Sequence, residues 1–209
     1  MRTINKIVKT LIISDFFFNA AFGLFGPIFA LFIALKITNN DVKSAAEVAG
    51  FSAMAYWVIK SIIQIPIGKY LDRNHGEKDD FWFMFIGHII TCIIPFGYIF
   101  STAPWHIYLL QAIQAIGMAM IIPPWYAILG KHVDKGMEAY EWGLSSTVLG
   151  IATGITGAIG GTMVAYFSYE SIFIFAGMIN ILAAILLLYT KKDLYAAGNV
   201  KHQAPPFMS

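Results

Sequence analysis

The chain has 209 residues, of which 58% are hydrophobic and only 12% are charged, whereas soluble domains carry roughly 25% charged residues. This composition excludes an ordinary soluble globular protein, because so much apolar surface has to face lipid. The net charge is +2, and the basic residues lie in short segments between apolar runs, a pattern that excludes a nucleic-acid partner. Cys92 is the only cysteine, which excludes disulfide frameworks and cysteine zinc sites. We expect no metal and no cofactor.

Six apolar segments are long enough to cross the hydrocarbon layer, which requires about 20 helical residues. Short polar segments separate them, and the first is too long for a secretory signal. The sequence therefore predicts an all-α integral membrane protein, a bundle of six transmembrane helices. The predicted spans are Leu11–Leu35, Ala46–Gly68, Phe81–Phe100, Trp105–Gly130, Trp142–Phe167 and Ser171–Tyr189.

The distribution of basic residues predicts how the bundle is oriented. Eleven of the fourteen lysines and arginines flank the spans on one side, and Lys36 and Lys43 are on the other side. The positive-inside rule places the basic side in the cytoplasm, so we predict a multi-pass protein of the inner (plasma) membrane with both termini cytoplasmic. Residues 1–190 form one transmembrane domain, and the polar segment 191–209 is predicted to be a mobile cytoplasmic tail.

Polar side chains recur at helical spacing within three of the spans. Intramembrane polar residues face a partner or a solvated cavity, since lipid solvates them poorly. Stripes on three different helices therefore predict one shared cavity that binds a substrate or a coupling ion. The cavity residues are Asp15 and Asn19 in the first span, Lys60 and Gln64 in the second, and Gln111 and Gln114 in the fourth.

Lys60 is the most informative of these residues, because it lies near the middle of its span. A lysine at that depth costs about 2.5–3.5 kcal/mol on insertion scales. It either binds or couples a solute, or it is a structural residue hydrogen-bonded to a neighbour. Asp15 lies at a different depth, so we expect no direct Asp15–Lys60 pair.

The fifth span carries a row of glycines at spacings of four and three residues. Small residues let helices approach closely in a bilayer, where packing drives association. We predict that this face packs against another helix at a dimer interface, with packing inside the bundle as the alternative. The residues are Gly150, Gly154, Gly157 and Gly161.

Several motifs resemble those of the major facilitator superfamily. The segment from Gly68 to Lys78, with Asp72 and Arg73 at its centre, is similar to the G-x-x-x-D-R/K-x-G-R/K-R/K loop of that family, although its second glycine comes one residue late. The fourth-span run from Gln111 to Gly117 is similar to the family's R-x-x-Q-G stretch, with glutamine in place of the arginine. The glycine-rich fifth span resembles the antiporter motif, with Gly157 where the antiporters have proline.

The resemblance covers about residues 10–190 and implies the N-terminal half of a twelve-helix transporter, built as two inverted three-helix repeats. It implies alternating-access transport of a small-molecule solute, with Gly68, Asp72 and Arg73 forming a gating loop. The two halves of such a transporter are related by an axis along the membrane normal. A homodimer with a C2 axis in that direction would supply the same geometry, so we expect a half-transporter that homodimerises within the bilayer.

Alternatives remain for both the substrate and the function. Lys60 favours an anionic solute, whereas the many Phe and Met residues suit an amphiphile. A non-transporting membrane scaffold, or an inactive fragment of a transporter, would account for the same composition. An intramembrane serine protease would use Ser145 or Ser146 and would need a nearby histidine, for which His88 is the interior candidate.

Overall fold

The computed structural model describes residues 4–74 and 76–203, and all regular structure in this part of the chain is helical. Six helices are long and apolar enough to cross a membrane, so the predicted six-span membrane bundle is confirmed. The elements are α1 (Lys6–Phe25), α2 (Phe29–Phe32), a π-helix (Ile33–Ile37), α3 (Val42–Asn74), α4 (Glu77–Ile99), α5 (Pro104–His132), α6 (Glu138–Met163) and α7 (Tyr169–Gln203).

The first predicted span is not one continuous helix. Pro27 has no backbone N–H with which to continue the α-helical ladder, and α1 ends at Phe25 before a turn at residues 26–28. The chain then resumes as α2 and the π-helix, whose wider winding ends at Thr38. The first span is therefore one long helix, α1, followed by a turn and a short segment of α-helix and π-helix.

Two helices extend well past the predicted ends of their spans. Helix α3 continues through Asp72 and Arg73 to Asn74, so these two residues belong to its last turn rather than to a loop. Helix α7 continues to Gln203, so residue 190 is not a helix end. The first turn of the predicted tail is held to the bundle by a 2.9 Å ion pair between Asp193 and Lys6. Residues 204–209 of that tail lie outside the described residues.

The helices alternate in direction, which collects the lysines and arginines at one end of the bundle. We call this the basic end, and the opposite end, where Lys36 pairs with Glu170 at 3.0 Å, the far end. The basic end is defined by Lys6, Lys9, Lys69, Arg73, Lys78, Lys131, Lys135, Lys191 and Lys192.

The packing of the helices has an internal two-fold pattern. Helix α1 packs against α6 and α7, α5 packs against α3 and α4, and α4 packs against α7. Exchanging α1 with α5, α3 with α6 and α4 with α7 leaves this set of neighbours unchanged. The bundle therefore consists of two three-helix sets of opposite orientation. In both α1 and α5 a proline follows a polar residue by twelve positions, Pro27 after Asp15 and Pro123 after Gln111.

Glycines make the closest helix crossings. A Cβ on Gly87 of α4 would lie 2.6 Å from the carbonyl oxygen of Gly117 on α5, and a Cβ on Gly160 of α6 would overlap the Leu24 carbonyl of α1. Backbone therefore meets backbone at both crossings, which maximises dispersion contacts in a solvent that offers no hydrophobic driving force between helices.

We predict that Gly87→Ala destabilises the bundle by about 1–3 kcal/mol, the usual range for overpacking a tight contact. The added methyl group would also come within 2.7 Å of Cγ1 of Ile121, so α4 and α5 have to separate. Thermal unfolding in mild detergent measures the effect. Gly50→Ala is the matched control, because its Cβ position has no heavy atom within 4 Å in the described part of the chain, apart from its own helix backbone and chain neighbours. Equal unfolding midpoints for the two variants would contradict the close crossing.

Candidate functional site

A groove runs along the bundle between α1 and α5 and has two lobes that share Phe18, Asn19 and Met118. The basic lobe, toward the basic end, has a volume of about 340 Å³ and is completed by α6. The far lobe has a volume of about 350 Å³ and is completed by α3. Because α3 and α6 exchange under the internal two-fold pattern, the two lobes are counterparts of each other.

Asp15 lies in the basic lobe, half-buried on α1. Its carboxylate accepts a hydrogen bond of 2.9 Å from the Asn19 amide, which also donates to the Asp15 backbone carbonyl at 2.8 Å. No cation lies within 4 Å of this carboxylate among the described residues. Asp15 is the only acidic or basic side chain among the described residues that line either lobe, so it sets the charge of the groove.

Aromatic rings form the wall of the basic lobe around Asp15. The Trp142 ring packs against the rings of Trp125 and Tyr126, with centroid separations of 6.2 and 5.8 Å. Trp125 and Trp142 lie on α5 and α6, so this cluster also holds the two helices together across the lobe. The indole nitrogen of Trp125 is buried without an acceptor among the described residues, which leaves one hydrogen-bond donor available at the groove wall.

The far lobe is lined by neutral polar and aromatic groups. Gln111 and Gln114 lie on the α5 side, and Ser52, Tyr56 and Trp57 lie on the α3 side. Gln114 is 4% exposed, and its carbonyl oxygen has no hydrogen-bond donor among the described residues. A buried amide oxygen without a partner is costly, so this atom is an available acceptor beside the lobe.

Lys60 and Gln64 are not among the described residues that line the groove. Lys60 is 9% exposed, and its ammonium lies 4.4 Å from the ring centroid of Trp57 and 5.7 Å from that of Tyr56. These cation–π contacts take the place of a hydrogen bond to Asn19 or Gln64, and no carboxylate pairs with the ammonium in the described part of the chain. Since both rings line the far lobe, Lys60 brings positive charge to its wall.

The predicted gating residues lie at the basic end of α3. Gly68 approaches Pro123 of α5, with 3.9 Å between its Cβ position and the proline Cβ. Asp72 and Arg73 are exposed. Asp72 is close enough to Asp80, at the start of α4, for the two negative charges to repel each other. Asp80 is itself ion-paired at 3.0 Å with Lys131 of α5. The charged side chains of this region are therefore divided between an exposed helix end and a bridge from α4 to α5.

A parallel bridge joins Glu77 and His132, whose Oε2 and Nε2 atoms are 3.1 Å apart. Both side chains are largely buried, at 10% and 7% exposure. Together with Lys131–Asp80, this contact fixes the first turn of α4 against the last turn of α5. The two bridges thus hold the basic ends of α4 and α5 together, on the basic side of the groove.

The glycine face of α6 divides into two parts. Gly157 contacts α1 within the bundle, because a Cβ there would lie 3.4 Å from the Pro27 side chain. Outside their chain neighbours and their own helix backbone, no heavy atom of the described residues lies within 4 Å of the Cβ positions of Gly150, Gly154 and Gly161. One edge of the face therefore packs internally, and the other edge is open.

The polar patterns within the spans did not indicate the aromatic cluster of Trp125, Tyr126 and Trp142. The three residues lie near the basic ends of α5 and α6, where tryptophan and tyrosine are ordinarily read as interfacial anchors. Their convergence on Asp15 depends on the packing of helices that are separate in sequence. No cluster of metal-ligating side chains occurs among the described residues.

His88 does not form a catalytic pair with a serine in the described part of the chain. Its Nδ1 atom lies 2.8 Å from the Met84 carbonyl oxygen, one turn earlier on α4, and its ring packs against Phe18 with centroids 4.8 Å apart. Ser145 lines the basic lobe instead. The geometry is that of a packing histidine, and it offers no base for an intramembrane serine protease.

The comparison with known protein families agrees with the six-helix architecture. No curated protein matches the sequence significantly. The family model described as Major Facilitator Superfamily matches residues 11–207, nearly the whole chain. The two inverted three-helix sets correspond to half of that fold, as expected from the motifs around Asp72 and Gln111. The chain is a multi-pass membrane protein that belongs to the major facilitator superfamily, a family of solute transporters.

Proposed function

We propose that this protein transports a small amphiphilic cation by alternating access, as a homodimer of two six-helix units. The observation that carries the proposal is the basic lobe, which is lined both by aromatic rings and by Asp15, whose carboxylate has no cationic partner among the described residues. An aromatic face attracts a cation through its quadrupole, and the carboxylate supplies the counter-charge. An apolar lining with a few convergent polar groups is typical of small-molecule sites.

The distribution of charge supports a cation over an anion. Asp15 lies in the groove lining, whereas the ammonium of Lys60 is held against Trp57 at the wall of the far lobe. A cation is therefore attracted to the basic lobe and repelled from the far lobe. We propose that Lys60 promotes release rather than binding, and that the neutral amides of Gln111 and Gln114 contact the solute as it passes.

The groove supports pairing with a second six-helix unit. Helices α3 and α6 flank it, and each packs extensively against only one other long helix within the described chain. Left open to lipid, the groove would expose Asp15 and Asn19, which the hydrocarbon layer solvates poorly. A second copy related by a two-fold axis along the membrane normal would bring α3 of each protomer opposite α6 of its partner. The open glycines Gly150 and Gly154 would then face that contact.

The orientation follows from the charge on the basic end. Lys6, Lys9, Lys69 and Lys131 lie there, whereas Lys36 and Lys43 lie at the far end. We propose that the protein lies in the inner (plasma) membrane, with the basic end and both termini facing the cytoplasm. The basic lobe then opens to the cytoplasm, and the far lobe opens to the other side.

We predict that substitutions at Asp15 and Lys60 affect different steps, binding at Asp15 and uptake rate at Lys60. Asp15→Asn should weaken binding of tetraphenylphosphonium by at least about tenfold, because a neutral amide gives no counter-charge. Lys60→Met should leave binding within about twofold and should slow uptake into proteoliposomes. Binding is measured by isothermal titration calorimetry in detergent, and uptake with radiolabelled cation. Unchanged tetraphenylphosphonium affinity in the Asp15→Asn variant would contradict the role of Asp15 as the counter-charge.

We predict that Gly154→Leu converts the dimer to a monomer, because the new side chain fills the face that the partner's α3 would occupy. Gly157 is unsuitable for this test, since it already contacts Pro27 within the protomer. Native mass spectrometry in mild detergent measures the assembly state. Ile93→Trp is the control, because it adds bulk to an exposed position on α4. A dimeric Gly154→Leu protein, or a wild type that is monomeric in lipid nanodiscs, would refute this interface.

The proposed switch between states rests on Asp72. In a dimer its carboxylate would approach the first turn of the partner's α6, whose N-cap, Met137, offers no side-chain hydrogen bond. A carboxylate at a helix N-terminus contributes about 0.3–1 kcal/mol, or up to about 2 kcal/mol when partly buried. Arg73 and Gly68 would keep this end of α3 close to the contact. Two symmetric copies would therefore hold the basic end closed in one state and release it in the other.

We predict that Asp72→Asn increases the population that is open at the basic end. The reporter is Ser145→Cys, because Ser145 lines the basic lobe and is 5% exposed, on a background in which Cys92 is replaced by Ala. Labelling by a membrane-impermeant maleimide from the basic side should rise severalfold. Asp79→Asn is a charge-matched control two residues into α4. Equal labelling of the Asp72→Asn variant and its parent would remove Asp72 from the switch.

A further inference from the structure

On the outer surface of the bundle, away from the groove, two lysines converge on one pair of aromatic rings. The ammonium of Lys191, on α7, lies 4.6 Å from the ring centroid of Trp82 and 5.7 Å from that of Tyr195. The ammonium of Lys78, on α4, lies 5.0 Å from the centroid of Tyr195. The indole nitrogen of Trp82 donates a 3.0 Å hydrogen bond to the Tyr195 hydroxyl. We call these four residues the lysine–aromatic cluster.

We propose that the lysine–aromatic cluster is a binding site for the headgroup of an anionic phospholipid, in the leaflet that faces the basic end. This site is separate from the transport groove and does not depend on the direction of transport. It would serve to anchor the packed ends of α4 and α7 at the membrane surface.

The charge of the cluster is available to a ligand. Neither Lys78 nor Lys191 has a carboxylate within 4 Å among the described residues. Three acidic side chains near the cluster have other cationic partners: Glu77 pairs with His132 of α5, Asp80 with Lys131 of α5, and Asp193 with Lys6 of α1. Two positive charges therefore stand together at one place on the bundle surface, and a phosphate group would neutralise them.

The hydrogen-bonding groups also fit a phosphate. The Tyr195 hydroxyl accepts from Trp82, so its own proton remains available for a second acceptor. Each ammonium has three N–H donors, and a cation–π contact with the ring face uses none of them in a conventional hydrogen bond. The rings thus hold both lysine side chains in place and leave their N–H donors available for a ligand. This preorganisation lowers the entropy lost on binding.

The surroundings favour a lipid over a soluble phosphate compound. Trp82 is 39% exposed, and tryptophan at this depth is typical of the interface between headgroups and acyl chains. Exposed apolar side chains continue from the cluster toward the middle of the bilayer along both helices. They are Ile86, Ile89 and Ile93 on α4, and Ile185, Leu188 and Tyr189 on α7. A phosphate at the cluster therefore has an apolar surface beneath it, which matches the arrangement of head and tails in a phospholipid.

Native mass spectrometry with defined lipids tests the proposal. The wild-type protein should retain phosphatidylglycerol in preference to phosphatidylcholine. The Lys78→Gln/Lys191→Gln variant should bind phosphatidylglycerol about tenfold more weakly, because each lysine near an anionic surface makes a substantial contribution. Tyr195→Phe should weaken it less, through loss of one donor. Lys78→Arg/Lys191→Arg should retain the preference, since arginine also binds phosphate and stacks on aromatic rings.

The matched control is Lys9→Gln/Lys69→Gln, which removes the same charge from exposed lysines at the basic end that have no aromatic partner among the described contacts. Its affinity for phosphatidylglycerol should stay within about twofold of the wild type. Equal losses in the two double variants would show a diffuse electrostatic attraction and overturn the site. Displacement of the bound lipid by millimolar glycerol 3-phosphate would likewise overturn it, because a soluble headgroup would then suffice. Unfolding midpoints of both variants in detergent distinguish a lost site from a lost fold.

Discussion

The architecture depends on how closely backbone can approach backbone where no water is present. Lipid tails are as apolar as leucine, so helices in a bilayer associate through packing rather than through burial of apolar surface. In this bundle, the closest approaches occur where α4 crosses α5 at Gly87 and where α6 crosses α1 at Gly160. An aromatic core around Tyr98 and Phe173, with ring centroids 5.3 Å apart, adds packing between α4 and α7.

Helices α3 and α6, which flank the groove, each pack extensively against fewer long helices than the other spans do. Helices α4 and α7 are each held by two long neighbours, whereas α3 is held mainly by α5 and α6 mainly by α1. The groove lies between these less supported helices, with Asp15 toward one end and Gln114 toward the other. Low contact density is expected of elements that move in function. The rigid part of the bundle and the part suited to motion are therefore separated in space.

The sequence predicted the spans and the helices that line the groove, because both depend on periodic patterns within single helices. Asp15, Asn19, Gln111 and Gln114 were recognisable for this reason, since a polar group within a span has few acceptable environments. The direction in which Lys60 points was not predictable. Its long side chain can reach several partners, and the choice of the Trp57 ring over Gln64 depends on the packing of α3. The aromatic wall of the basic lobe likewise requires contacts between distant segments.

The end of the first span was not predicted either, because Pro27 interrupts a run that is apolar throughout. Proline at the equivalent place in α5 leaves the helix continuous, so the residue type alone does not decide the outcome. What differs is the surrounding structure. The turn after Phe25 lies against Gly157 of α6, where a larger residue would press on Pro27.

The internal two-fold pattern has an energetic consequence. Under the proposed alternating access, the two inverted three-helix sets would exchange shapes, and the groove would then open at the other end. If the copies were identical, the two conformations would be degenerate in energy. The degeneracy is lifted only where the copies differ, as at Asp15 and Gln111 or at the broken α1 and the continuous α5. The differences in sequence between the two sets would therefore decide which conformation has the lower energy.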